Sequence, residues 1–275
     1  MLQTRNNTIL FNNAIPLSGV NMSEVSENKR SILRSSIGSS AAILLSRMLG
    51  LVRTLLEADV LGGNALASIW QTLEMIPNLF RRLLGEGALA QALIPILSHT
   101  EAEKGLTEMR RQLAVVLAFL TLLLIIVTIA VSGIGLVIGN FFAVPDYVKS
   151  AMTFLPMIMP YAIFICLVGV MTAVVNTRKV FFLAFLNAVI LNIVLIVLLY
   201  LAGKYAQNNP SKILYILIGG VLGSGVLQLT MLVWLLKRYG VFPLWQKSER
   251  SSKSICSELY KLALPGVISG GVGQI

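Results

Sequence analysis

The chain has 275 residues, of which 56% are hydrophobic and only 12% charged, with a net charge of +10 and a mean hydropathy of +0.81. A soluble globular chain carries about twice that share of charged residues, so the composition points to a protein that crosses a membrane several times. The basic excess does not read as a nucleic-acid surface, because no basic stripe is interleaved with aromatics and the cations sit mainly in short connections between apolar runs.

In chain order, residues 1–33 form a polar tail without a compact basic region, apolar stretch and cleavage site, so no signal peptide is expected. The tail is expected to be disordered and cytoplasmic, with Met22 as an alternative start. Six apolar spans follow, at Ile37–Leu61, Leu66–Leu97, Leu113–Phe142, Tyr147–Val175, Val180–Ala202 and Ile213–Leu236. Apart from Lys149 at the start of the fourth, the last four contain no charged residue, and each supplies the roughly 20 apolar residues a spanning helix needs. A seventh span starts near Leu259, and Ile275 falls part-way through it. Unsatisfied carbonyls are costly in hydrocarbon, so a fragment or a truncated product is expected. The expected fold is therefore all-α, a polytopic transmembrane bundle with a six-helix lobe at 34–240, a cytoplasmic loop at 241–258 and the start of helix seven at 259–275.

Helix breakers are unevenly placed. Pro77 lies in span two, Pro156 and Pro160 in span four, and Gly219, Gly220, Gly223 and Gly225 in span six. They predict kinks and close helix approaches. If the N-terminus is cytoplasmic, the inside connections carry fifteen Lys and Arg, and the outside only Lys149, Lys204 and Lys212. That bias predicts a cytoplasmic N-terminus.

Spans one and two are the polar ones. Arg47, Arg53, Glu57, Asp59, Glu74, Arg81, Arg82 and Glu86 fall at or near membrane depth, where one arginine costs about 2.5 to 3.5 kcal/mol. Together they must face a cavity, pair, or reach an interface. Arg53 with Glu57, and Arg82 with Glu86, are spaced i,i+4 and can pair along one helix face. Arg47 and Arg53 are six residues apart, about 240° around a helix, so they share a face only if the helix bends near Gly50. Arg47, Arg53 and Arg81 lack enough carboxylates nearby to neutralise them all, which predicts an anionic ligand. The planar guanidinium fork suits phosphate. Glu74 faces the cavity, pairs, or serves at a helix end.

Other groups carry less. His99 is expected at an interface, and the alternation of Glu101, Glu103 and Glu108 with Lys104, Arg110 and Arg111 predicts a solvated loop. Cys166 and Cys256 read as structural, with no metal-ligand spacing. No phosphate-cradling glycine loop and no nucleophile–base pairing is present, so no catalytic residue, cofactor or metal is expected.

The segments "SRMLGLVRTLLEADVLGG", Ser46–Gly63, and "PNLFRRLLGEGALAQALIPIL", Pro77–Leu97, closely resemble the MurJ/MviN family of lipid II flippases. The resemblance runs from about Arg34 to the end and covers the N-terminal lobe of a two-lobe transporter. It implies residence in the cytoplasmic (inner) membrane and movement of an undecaprenyl-pyrophosphate-linked peptidoglycan precursor between leaflets by alternating access. It also implies that Arg47, Arg53 and Arg81 line a cavity and contact the pyrophosphate or nearby sugars. Glu86 matches the family's gating acid and can pair with cavity arginines such as Arg82. Cell-wall synthesis proteins are further expected partners. Two departures stand out: Thr54 and Ser68 occupy positions where many members have acids, which predicts a more positive cavity. The alternatives are a drug or oligosaccharide-lipid exporter of the same superfamily, and a non-transporting membrane remnant or scaffold.

Overall fold

The computed structural model describes residues 44–63, 65–85, 88–178, 181–206 and 209–246, with residues 257 and 261. All of them fall in one unit, residues 42–275. The expected tail at 1–33 lies outside the described residues, as does the expected helix from 259 onward apart from the helical Lys261.

Every regular element among the described residues is helical, as hydrocarbon requires when no water is present to satisfy backbone groups. Helix α1 occupies 44–61. Helix α2, Ala65–Phe80, runs into a π-helical turn, Arg81–Gly85. Then come α3 (Ala88–Phe141), α4 (Asp146–Ile158), α5 (Pro160–Asn176), α6 (Phe181–Tyr205) and α7 (Pro210–Arg238). The six expected spans are helical where they are described, apart from Met159 within span four and Phe142 at the end of span three.

Two breaks shape this succession. Within α3, Gly105 has φ 84° and ψ 172°, a conformation essentially reserved for glycine. It separates the end of span two from span three. Span four breaks at Met159, where α4 and α5 meet at 56°. Pro160 has no N–H to donate and its ring clashes with the carbonyl four residues back, so the helix cannot run straight through. Pro160 instead begins α5 at a position where its missing donor costs nothing. At the far end α7 closes with Gly240 at φ 70°. There Val241 N–H donates to Leu236 O at 2.9 Å and Gly240 N–H to Lys237 O at 3.2 Å, which is the Schellman arrangement.

The solvated loop expected at 101–111 is not one. The backbone is helical on both sides of Gly105, and Glu108 is only 2% exposed. The alternating charges fall at helical spacings that let them pair locally: His99 with Glu103 at 3.3 Å and Glu108 with Arg111 at 3.6 Å. Glu101 reaches across to Arg178, whose Nη2 donates to both carboxylate oxygens at 2.8 and 2.9 Å. Beside it, Arg110 Nε donates to Phe242 O at 2.7 Å, and Leu244 N–H donates back to Arg110 O at 3.0 Å. The connections after spans two, four and six thus meet at one end of the bundle.

The interior divides into two hydrophobic clusters. One joins both halves of α3 to α5 and the end of α7 through Leu93, Leu113, Val170, Val174 and Leu235. The other joins α2, α4, α6 and the start of α7 through Trp70, Leu73, Leu155, Leu195 and Leu217. Two of the four span-six glycines serve close approach: a Cβ on Gly220 would collide with Leu198 of α6, and one on Gly225 would lie 3.0 Å from Phe164 Cβ of α5. Gly219 and Gly223 face open space. Exposed apolar residues such as Ile126, Ile129, Val226 and Leu227 cover the outer surface, as lipid contact demands. Three helices are long and apolar enough to cross a membrane, and the bent α4–α5 pair can serve as a fourth span. Helices α1 and α2, which carry the charges, fall outside that set.

Candidate functional site: an arginine-lined cavity

Between the two clusters lies a cavity of about 300 Å³. Its wall takes Arg53 from α1, Asn78 from α2, Arg81 and Arg82 from the π-turn, Thr172 from α5, Asn187 and Asn192 from α6, and Gln228 from α7. Ile165, Val168, Gly169, Ala188 and Leu191 complete it. Among the described residues the lining holds three arginines and no carboxylate.

The local fold explains the clustering. Pro77, buried in α2, weakens the ladder just before the π-turn. The wider π-turn then brings Arg81 and Arg82, neighbours in sequence, onto one cavity wall. Arg81 Nε donates to Asn78 Oδ1 at 3.3 Å, one turn earlier. On α1 the helical rotation has the consequence expected without a sharp bend: Arg53 reaches the cavity, whereas Arg47 is exposed and absent from the cavity wall.

Arg53 is compensated twice. Its Nε lies 3.2 Å from Glu57 on its own helix, and its Nη2 lies 3.9 Å from Glu74 on α2. The i,i+4 pair with Glu57 is the one expected, and Glu74 takes the pairing role. These contacts overturn the expectation of too few carboxylates where Arg53 is concerned, because the acid missing at Thr54 is offset by one from the neighbouring helix. Glu86, the expected gating acid and partner of Arg82, lies outside the described residues.

The amides were not foreseen, although single Asn and Gln residues inside apolar runs are a signal in themselves. They tie the wall together. Asn187 Nδ2 donates to Thr172 Oγ1 at 3.0 Å, Gln228 Nε2 to Asn187 O at 3.0 Å, and Asn192 Nδ2 to Ser46 O at 3.3 Å. Helix α6 is thereby linked to α5, α7 and α1. The cavity thus presents guanidinium donors on one side and neutral amides on the other, a lining chemically suited to an anionic group attached to a polar, hydroxylated or amide-bearing one.

His99 is exposed at the end of the bundle, away from the cavity, and Cys166 is buried in the core. Cys256 lies outside the described residues.

Comparison with known proteins converges on one group. The "Probable lipid II flippase MurJ" of Rhizobium meliloti (strain 1021) is 30% identical over 251 residues, covering 89% of this chain and 46% of that protein. That of Vibrio cholerae serotype O1 is 33% identical over 213 residues, covering 73% and 40%. A solved structure, "Lipid II flippase MurJ, inward closed conformation", superposes with a TM-score of 0.66 at 25% identity over 87% of this chain and 48% of that one. The chain spans about half the length of the proteins it matches. The family model described as Lipid II flippase MurJ matches residues 57–275, and the chain therefore belongs to that family.

Proposed function

We propose that the chain forms the six-helix N-terminal lobe, residues 34–240, of a lipid II flippase in the cytoplasmic membrane. It acts there as a transporter and not as an enzyme. The observation that carries this reading is the cavity wall on which Arg53, Arg81 and Arg82 meet without a carboxylate among the described lining residues. A lipid-linked diphosphate supplies the anion. Its sugars meet the amides of Asn187, Asn192 and Gln228, while its polyprenyl tail stays in lipid. Movement of the lobe against a second one exposes the site to each side in turn.

In this reading Arg53 and Arg81 hold the diphosphate and Arg82, with Glu86, closes the cavity. Arg47 contributes from the exposed side of α1, where a second lobe would complete the site. The 241–258 loop and the basic ends that meet around Glu101–Arg178 and Arg110–Phe242 lie on the cytoplasmic face, in keeping with the basic bias of those connections. A cation-exporting alternative is disfavoured by the same three guanidinium groups.

The test is binding of lipid II by the chain in lipid nanodiscs, read by native mass spectrometry. Arg53→Ala and Arg81→Ala are each expected to weaken binding about tenfold, the loss of one charge-assisted contact. Binding unaffected by either substitution, or no preference for lipid II over a neutral polyprenol, would sink the proposal.

A further inference from the structure

The acidic neighbours of Arg53 come from two different helices. Arg53 lies between two carboxylates, both about as buried as itself: side-chain exposure is 22% for Arg53, 17% for Glu57 and 18% for Glu74.

The two acids hold it unequally. Glu57 is one helical turn away on the same backbone and 3.2 Å distant, so α1 keeps it a neighbour of Arg53 however the other helices move. Glu74 comes from a different helix and stands at 3.9 Å, well beyond the roughly 2.7–2.9 Å of a charge-assisted hydrogen bond. It is attracted to Arg53 without being bonded to it. Glu74 also borders a second, smaller void of about 10 Å³ behind the main cavity, next to Asn78 and Tyr161, about enough for one water. Pro77, Ile158, Leu191 and Val221 line the rest of that void, so Asn78 and Tyr161 are the polar groups the carboxylate can turn towards if Arg53 finds another partner.

We propose that Glu74 is a displaceable counter-ion. A diphosphate entering the cavity takes its place on the Arg53 guanidinium, while Glu57 keeps that side chain directed at the site. This rests on the diphosphate-binding reading above and adds a residue that sets its strength. The device has a transport logic. A site that takes up a diphosphate must also release it, and an internal carboxylate competes for Arg53 at every cycle. It also links ligand to structure, because Glu74 on Arg53 ties α2 to α1, and the incoming anion loosens that tie.

The experiment is calorimetric titration of inorganic pyrophosphate into the chain in nanodiscs. Glu74→Gln is expected to tighten binding about fivefold, the upper end for releasing a partly exposed ion pair. Glu74→Asp, which retains the charge on a shorter stem, falls between the two. In an Arg53→Ala background the Glu74→Gln gain disappears, a result that a merely structural effect of the substitution would not produce. If pyrophosphate binding responds to Arg81→Ala but not to Glu74→Gln, or if the gain persists without Arg53, the counter-ion proposal is overturned and the diphosphate site stands. If pyrophosphate binds no better than sulfate and Arg81→Ala changes nothing, both are overturned.

Discussion

Gly223 and Gly225 stand two residues apart on α7, yet the same substitution should act on them in opposite directions. A Cβ at Gly225 would sit 3.0 Å from Phe164 Cβ, 3.1 Å from Phe164 Cδ2 and 3.1 Å from Tyr161 Cδ2, whereas one at Gly223 would meet nothing within 4 Å. Phe164 Cβ is attached directly to the α5 backbone, so no rotamer change relieves the contact and α5 must move away from α7. Both alanines gain the same helix propensity, about 1 kcal/mol over glycine. Only Gly225→Ala carries the cost of overpacking, about 1–3 kcal/mol.

The propensity gain cancels in the comparison, so the two variants should differ by about 1–3 kcal/mol. For a unit of this size that is roughly 2–12 °C in Tm. Gly223→Ala is expected at or above wild type, and Gly225→Ala below it. Thermal unfolding in nanodiscs, followed by the emission of buried Trp70, measures both. Because α5 also supplies Ile165, Val168 and Thr172 to the cavity, Gly225→Ala should weaken lipid II binding as well. Equal melting temperatures, or Gly225→Ala as the more stable of the pair, would refute the α5–α7 contact as drawn.

Gly105→Ala should lower stability by about 1–3 kcal/mol, because its backbone conformation is open to glycine alone; Gly133→Ala, where a Cβ meets nothing within 4 Å, is the control in the same melting assay. A double-mutant cycle on Glu101→Ala and Arg178→Ala should give a coupling of about 0.5–1 kcal/mol, kept low by the partial exposure of both groups; zero coupling would mean the two ends of spans two and four do not meet. In pyrophosphate titrations Arg47→Ala should cost less than Arg53→Ala, since Arg47 is off the cavity wall, and an equal loss would place both side chains at the anion. Wild-type binding should also weaken as salt rises from 0.05 to 0.5 M, values chosen to bracket a Debye length of about 10 Å.

Much of the fold was legible because a bilayer leaves so few options. Length and charge-free runs placed the ends of spans four to six within three residues of the helix ends, and Pro160 announced the bend in span four. What the pattern could not show is the helical character of 101–111. Charges alternating at short range look the same in a solvated strand of loop and along a helix whose acids and bases pair every three or four residues. Only the tertiary partner, Arg178 for Glu101, separates the two, and that partner is 77 residues away.

The site divides in the same way. Arg53 with Glu57 was visible because i,i+4 spacing is a property of one helix. That Arg81 and Arg82 both line the cavity was not, since adjacent residues on an α-helix point about 100° apart. Glu74 illustrates the deeper limit. Counting acids against bases along spans one and two suggests uncompensated arginines. Compensation, however, depends on distance, and α2 carries Glu74 to within 3.9 Å of an arginine twenty-one positions earlier. The excess positive charge is consequently not spread over all the membrane-depth arginines. At Arg53 it is offset by Glu57 and Glu74, and an arriving anion reaches that guanidinium only by competing with Glu74.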